Sequence, residues 1–318
     1  MDRQVPVLLI IFNRPEKTRR VIEALQKVKP TRLFVAADGP RPGRPEDIDK
    51  CRLARKVLLS IDWSCDLQTR FLEENVGCDP SVSSAINWFF ENISQGVILE
   101  DDCIPTPAFF HFCSDLLERY KDDRRIMQIS GFSPYPERSY PFDYHFSRSF
   151  RCWGWGTWRR AWSLYADSLK RYEDNQFIYH IVKSYYPYYP KYIERLKLYK
   201  EFMKGRRDNW DFKWNIACYA QNALCIVPEK NLVTNIGFDE EGTHTKRGNH
   251  LFARIPTDSL VFPLRHPSYV FADERPERFL EKRLYHSLPF KSRCAKWARH
   301  ILGSLAEFHQ NGPNAKVL

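Results

Sequence analysis

Residues 97–105 read VILEDDCIP. Three aliphatic residues, Val97, Ile98 and Leu99, run into three consecutive acids, Glu100, Asp101 and Asp102, and the run stops at Pro105. Carboxylates this close repel one another unless a cation sits among them. Divalent-metal binding suits such a cluster. Mg²⁺ and Mn²⁺ take oxygen ligands, commonly one or two carboxylates with substrate phosphates completing the shell. Side chains alternate along a strand, so the spacing predicts Glu100 and Asp102 on one side and Asp101 on the other. Asp102 is then the expected metal ligand. Asp101 faces ribose or sugar hydroxyls, and Glu100 binds a hydroxyl or a neighbouring cation.

Other residues have types that suit the same chemistry, each with a plainer use beside it. In ADGPR (37–41) Asp38 can accept hydrogen bonds from a base N–H or a ribose, though Asp-Gly is also an ordinary turn. In FNRP (12–15) Asn13 can cap a helix and Arg14 can meet a phosphate or a base. In NVGCDP (75–80) Asn75 and Gly77 allow close backbone approach to a nucleotide, or simply lead into a helix. In WGWGTWRRAW (153–162) Gly154 gives close approach beside Trp153, whose face suits a sugar. Arg159 and Arg160 are candidates for a diphosphate or a negatively charged acceptor, and aromatic packing between subdomains competes with this use. In DNWDFKW (208–214) Asp208 and Asp211 lie three apart on one helical face. Either can be a general base in a cleft of low polarity, or simply an acid favoured at a helix start. His244, in GTHT, is a candidate ligand to metal or phosphate.

The elements that must position these residues follow from hydrophobic patterning. Val5–Phe12 is a continuous apolar run, a buried strand of a parallel sheet. Pro15 opens a helix with Val21, Ile22 and Leu25 on one face. Residues 33–39 form a second strand, 48–59 a helix and 66–72 a strand. Asp79-Pro80 is a cap followed by a proline at the first helical position, before Val82, Ala85, Ile86 and Phe89. The strand into LEDD comes next, then a helix opened by Thr106-Pro107, then a strand at 126–130. Four β-α repeats predict an α/β fold, a mostly parallel sheet with helices on both faces. In such sheets ligands sit beyond the carboxyl ends of the strands. Connectivity alone therefore brings Asn13-Arg14, Asp38-Gly39 and the acid cluster to one rim. After Ser130 the pattern breaks into an aromatic, Arg- and Gly-rich stretch. A helical segment at 170–204 follows, interrupted by Pro187 and Pro190, and from about 275 a basic, partly amphipathic tail. The expected organisation is a ligand-binding half at 1–131, a second half of the same domain at 132–273, and a tail at 274–318.

Composition narrows the classes. The chain has 318 residues, 43% of them hydrophobic and 15% aromatic, enough for a large core. Net charge is +10, which favours anionic partners, but no arginine-rich tract, zinc-finger or RNP-type pattern points to nucleic acid. None of the 9 cysteines forms a C-x-x-C pair, so reduced, buried thiols of a cytoplasmic protein are expected. No stretch reaches the ~20 apolar residues of a membrane span. The tail can lie on anionic lipid as a basic amphipathic helix, so peripheral contact with the inner face of the membrane is a second expectation.

Taken in order, FNRP, ADG, N-x-G, LEDDC, GWGTWRRAW, the WD-containing segment and NIGF…THT resemble a nucleotide-diphospho-sugar transferase of the GT-A glycosyltransferase fold. The resemblance is to bacterial sugar transferases of polysaccharide loci and, more distantly, to the N-acetylglucosaminyltransferase I type. It covers roughly residues 5–270. It implies a Rossmann-like donor half, a mixed acceptor-side subdomain and a helical C-terminal tail. It implies Mn²⁺ or Mg²⁺ on Asp102, with His244 in the loop over the donor. Donor contacts would come from Asn13, Glu100, Asp101, Trp153 and Gly154, base contacts from Asp38 and Arg14, with Arg70 or Asn75 assisting. The base would be Asp211 or Asp208. The related type has adjacent acids after Trp, whereas Phe212 follows Asp211 here, so the choice between the two stays open. The implied reaction moves a sugar, from a UDP-sugar by preference, to a glycan or lipid-linked hydroxyl with inversion. A sugar nucleotidyltransferase shares the fold class, but FNRPEKT has no glycine for its phosphate loop. A noncatalytic carbohydrate- or nucleotide-binding protein would leave the acid cluster unexplained.

Overall fold

The computed structural model describes residues 5–135, 141–171, 175–185, 197–199, 201, 209–238, 252 and 255–279. The apolar runs become strands: β1 (Val7–Ile11), β2 (Arg32–Ala37), β3 (Asp66–Phe71), β4 (Gln95–Glu100), β5 (Cys103–Pro105), β6 (Ile126–Ser130), β7 (Tyr144–Ser147), β8 (Trp155–Trp158), β9 (Leu224–Pro228) and β10 (Val233–Asn235). Eight of them form one sheet in the order β3-β2-β1-β4-β8-β6-β9-β7. β3, β2, β1, β4, β6 and β9 run one way, and β8 and β7 run the other. This is a Rossmann-like α/β fold, with strands from both sides of residue 131 in one sheet. Every residue of β1 is buried, as a strand covered on both faces requires. Each such aliphatic side chain contributes roughly 1.5–3 kcal/mol on leaving water.

Prolines set the helix starts. α1 (Pro15–Gln26) and α4 (Pro107–Arg119) carry proline in the first turn, where its missing N–H has no intrahelical partner to lose. α2 is longer at its start than patterning predicts, Pro45–Lys56, because Pro45 takes the same role, and its end tightens into a 3-10 turn, Val57–Ser60. α3 (Cys78–Asn92) departs from expectation at its cap. Gly77, at φ 90°, is the cap, and Asp79 lies buried inside the first turn. α5 (Arg159–Arg171), α6 (Asn175–Tyr185) and α7 (Trp210–Ala220) complete the helices used below.

The chain divides into two compact units, Met1–Glu173 with Asp208–Glu274, and Asp174–Arg207 with Arg275–Leu318. The sheet and the whole candidate site belong to the first. In the second, Ile178 and Val182 of α6 are buried, four residues apart on one helical face. Most of the basic tail lies outside the described residues. Among the described residues no helix is long and apolar enough to cross a membrane.

Candidate functional site

The carboxyl ends of β1, β2 and β4 open on a cleft of about 160 Å³, lined by Phe12, Arg14, Asp38, Asn75, Glu100 and Asp101 among others. β4 ends at Glu100, and Asp101 and Asp102 form a turn before β5. The alternation expected through residue 102 therefore stops two residues too early. Asp101 and Asp102 instead meet the same partner. Arg14, which leaves β1 and caps α1, sends Nη1 to Asp102 Oδ2 at 2.8 Å and holds Nη2 3.3 Å from Asp101 Oδ1. The chain itself thus supplies a cation among its acids. Burial alone would lower the pKa of Arg14, but Asp101 and Asp102 outweigh it and raise it.

The acids remain strained by their own company. Burial, then Asp102 and Asp101, push Glu100 up to about 8 against the pull of Arg14. Burial pushes Asp101 up to about 6, although Arg14, the Phe12 N–H at 3.3 Å and the buried Lys17 on α1 oppose it.

Asp102 is framed from the other side by the antiparallel β5–β10 pair, which sets Asn235 opposite Cys103. Asn235 Nδ2 donates to Asp102 Oδ1 at 3.4 Å, and the Ile236 N–H donates to the Asp102 carbonyl at 2.8 Å. A Cβ on Gly237 would sit 2.2 Å from Asp102 Oδ2, so only glycine leaves room for that carboxylate. Asn235 and Gly237 belong to the NIGF motif, and nothing in their spacing announces contact with residue 102. Among the described residues no three His, Cys, Asp or Glu side chains converge to cage a metal. Were a divalent ion to bind here, Asp102 is the carboxylate that would hold it, its Oδ1 accepting from Asn235 at 3.4 Å and its Oδ2 from Arg14 at 2.8 Å, and phosphate and water oxygens would have to complete the shell.

Asp38 and Asn75 form the opposite wall. Asp38 accepts from the N–H groups of Gly39 at 2.9 Å and Val76 at 3.1 Å, and from Asn75 Nδ2 at 2.8 Å. Burial raises its pKa while these N–H groups and that of Gly77 pull it down. Asn13 donates to Asp47 Oδ1 at 2.7 Å instead of capping α1. Arg70 donates to Ser84 Oγ at 3.0 Å and is not among the lining residues. Trp153 is flanked edge-on by Phe132 at 4.6 Å, Phe238 at 5.3 Å and Phe252 at 6.3 Å. Gly154, at φ +64°, passes so close to Val233 that a Cβ would lie 2.8 Å from a methyl group. Arg159 and Arg160 donate to backbone carbonyls, Arg159 to that of Ile93 and Arg160 to those of Tyr120, Lys121, Asp123 and Ile126. They are fasteners of the fold rather than phosphate ligands.

Asp211 lies in the first turn of α7. Trp210 stacks on Trp155 with centroids 5.8 Å apart, and Trp214 Nε1 donates to Gln128 Oε1 at 2.7 Å, fixing α7 against the sheet. Asp211 is near enough for its charge to help raise Glu100 and Tyr165. One network beside it was hidden in the sequence. Asp79 of α3 accepts from the Tyr165 hydroxyl at 2.7 Å and pairs with Lys213, tying α3, α5 and α7 together. Asp208 and His244 lie outside the described residues.

No protein-family model matches the chain, and no curated protein matches it. Solved structures similar to parts of it include the mannosyltransferase PcManGT from Pyrobaculum calidifontis in complex with GDP-Man and Mn²⁺, at 13% identity, over 50% of this chain and 46% of that one, with a TM-score of 0.31. HddC from Yersinia pseudotuberculosis is similar at 9% identity over 49% of this chain and 77% of that one, TM-score 0.30. The 4-diphosphocytidyl-2C-methyl-D-erythritolsynthase from Anaerococcus prevotii is similar at 8% identity over 52% and 77%, TM-score 0.31. The matched part spans less than half of the mannosyltransferase.

Proposed function

We propose that the chain is a GT-A-type glycosyltransferase. It would move a sugar from a nucleoside-diphosphate sugar, UDP-linked by preference, to a hydroxyl of a glycan or lipid-linked acceptor in bacterial surface polysaccharide synthesis. One juxtaposition carries the reading. Asp38 and Asn75, with the backbone N–H groups around Asp38, share one cleft at the strand ends with Glu100, Asp101 and Arg14, Arg14 reaches on to Asp102, and Asp211 is near enough to act on Glu100 through its charge. Asp38 and Asn75 suit a base and ribose, and the acids suit a diphosphate bound through a cation.

Charge supports the cation. Three acids against Arg14 and the more distant Lys17 make a rim that repels a free diphosphate. Mn²⁺ or Mg²⁺ would be held by Asp102, with His244 as a further ligand, and would neutralise charge on the departing nucleoside diphosphate. The protein's own part is proton transfer and orientation. Asp211, or Asp208, takes the proton of the acceptor hydroxyl as that oxygen attacks C1 from the face opposite the leaving group, which inverts the anomeric centre. The Trp-fixed α7 would hold Asp211 in place for this role.

The test is thermal unfolding with UDP, GDP, CMP and dTDP sugars, with and without Mn²⁺, for the wild type and Asp102→Ala. A ligand that binds only the folded chain raises the melting temperature by mass action. Metal-dependent stabilisation by one nucleotide class, lost in Asp102→Ala, is expected. No stabilisation by any donor would sink the transferase reading in favour of a binding protein.

A further inference from the structure

The acid cluster already has a cation, and it stands against the carboxylate that the metal would need. Arg14 Nη1 is 2.8 Å from Asp102 Oδ2, and that oxygen is also closed in by Gly237. Asp101 holds the other arm of the guanidinium and has a second donor of its own, the Phe12 N–H. A guanidinium is a planar fork with five donors, so one arm can change partners while the other stays put. Arg14 lines the same cleft as Asp38 and Asn75, within which a diphosphate would lie. Among the described residues no cage of three ligands offers a metal enough bonds to displace Arg14 unaided.

We propose that Arg14 is an exchangeable counter-ion: from the cleft wall it keeps Asp102 paired while no ligand is bound, and turns one arm onto the nucleotide's phosphate when a divalent metal takes Asp102. The proposal rests on the transferase reading above, and it adds that metal and nucleotide enter together. The phosphates give Arg14 a new acceptor and give the metal its missing oxygens. Each ligand therefore strengthens the other, by the same factor in both directions. The empty protein should bind metal weakly because Asp102 is already neutralised.

Mn²⁺ binding to the full chain can be followed by the loss of the free-ion electron paramagnetic resonance signal, with no turnover needed. Arg14→Gln should bind Mn²⁺ at least about tenfold more tightly than the wild type in the absence of nucleotide, within the range that coupled ligands show. UDP, or GDP in a parallel arm, should tighten Mn²⁺ binding to the wild type, and by a smaller factor in Arg14→Gln. Because Arg14→Gln leaves the buried Asp101 without its cation, Arg14→Gln/Asp101→Asn is measured beside it and should show the same gain. Mn²⁺ affinity that is lost in Asp102→Asn yet unchanged by removing Arg14 would overturn the exchange and leave the metal reading standing. No Mn²⁺ binding to any form, with or without UDP or GDP, would overturn both.

Discussion

Arg14 and Arg160 occupy equivalent places in the chain's architecture, each where a strand hands over to a helix, β1 to α1 and β8 to α5. Their partners differ. Arg14 lines the cleft and faces two carboxylates. Arg160 donates to four backbone carbonyls and lies over the Trp158 ring, 4.4 Å from its centroid. Burial lowers the pKa of Arg160, with Asp123 and Asp122 opposing. Arg14 is raised by the acids it pairs with. A guanidinium on peptide carbonyls fixes local geometry and has nothing to trade. One on carboxylates beside a cleft is part of a charge balance that a ligand can alter. The residue type does not separate site from scaffold; the charge of the partner does.

The sharpest way to break that contrast is to change the site and the scaffold separately and read both rate and stability. Asp211→Asn keeps the shape of its side chain and removes the base of the proposed transfer. It should lower kcat by about 10³, the middle of the range for a positioned general base, while the melting temperature stays close to that of the wild type. A rate unchanged in Asp211→Asn would move the base to Asp208. Arg160→Met should do the reverse. It takes the shared donor from four carbonyls, a loss of about 3 kcal/mol given what charged hydrogen bonds contribute. Chemical denaturation measures that loss, and the rate per folded molecule should hold. If Arg160→Met slowed the reaction at unchanged stability, Arg160 would belong to the site after all.

The contrast also marks where the sequence is readable. β1, β2 and β4 stand out because each is a short, unbroken apolar run, and Pro15 and Pro107 announce the helices behind two of the strands. The common rim then follows from topology, since parallel strands bring their carboxyl ends to one side. What is not readable is pairing across the fold. Arg14 and Asp102 are 88 residues apart, and Asp79 is 86 residues from Tyr165 and 134 from Lys213. Arg14, Arg159 and Arg160 look alike as candidates for an anion, because hydrophobic period says nothing about which acceptor a guanidinium finds. Alternation misplaces Asp101 because it assumes a strand that persists to residue 102. The strand yields two residues earlier, at Glu100, and in the turn that follows Asp101 meets the Phe12 N–H and both Asp101 and Asp102 meet Arg14. Gly77 displaces Asp79 as a cap because a glycine at positive φ opens the helix two residues sooner, and Asp79 pairs instead with Tyr165 and Lys213.

Asp47 lies between the two regimes and gives the finest test. It is buried on α2, it pairs with Arg41, and it accepts from Asn13, so a charged pair here serves to hold a residue at the rim. The hydrogen bond from Arg41 holds its carboxyl at about 2 against an ordinary value of 3.8, with burial opposing and Asn13 assisting. Because the folded chain binds this proton less readily than the unfolded chain, the stability it contributes is present above about pH 4 and lost as pH falls through about 2. The size of the shift corresponds to about 2 kcal/mol at neutral pH. Asp47→Asn should therefore be less stable than the wild type by about that much at pH 7. In urea unfolding the gap between the two proteins should narrow as pH falls below the ordinary carboxylate value and close near the bottom of the range. A gap that stays constant with pH would mean that Asp47 acts through packing and neutral hydrogen bonds. The pair with Arg41 would then be scaffold of the Arg160 kind, and the division between exchangeable and fixed guanidinium groups would begin at the cleft wall rather than outside it.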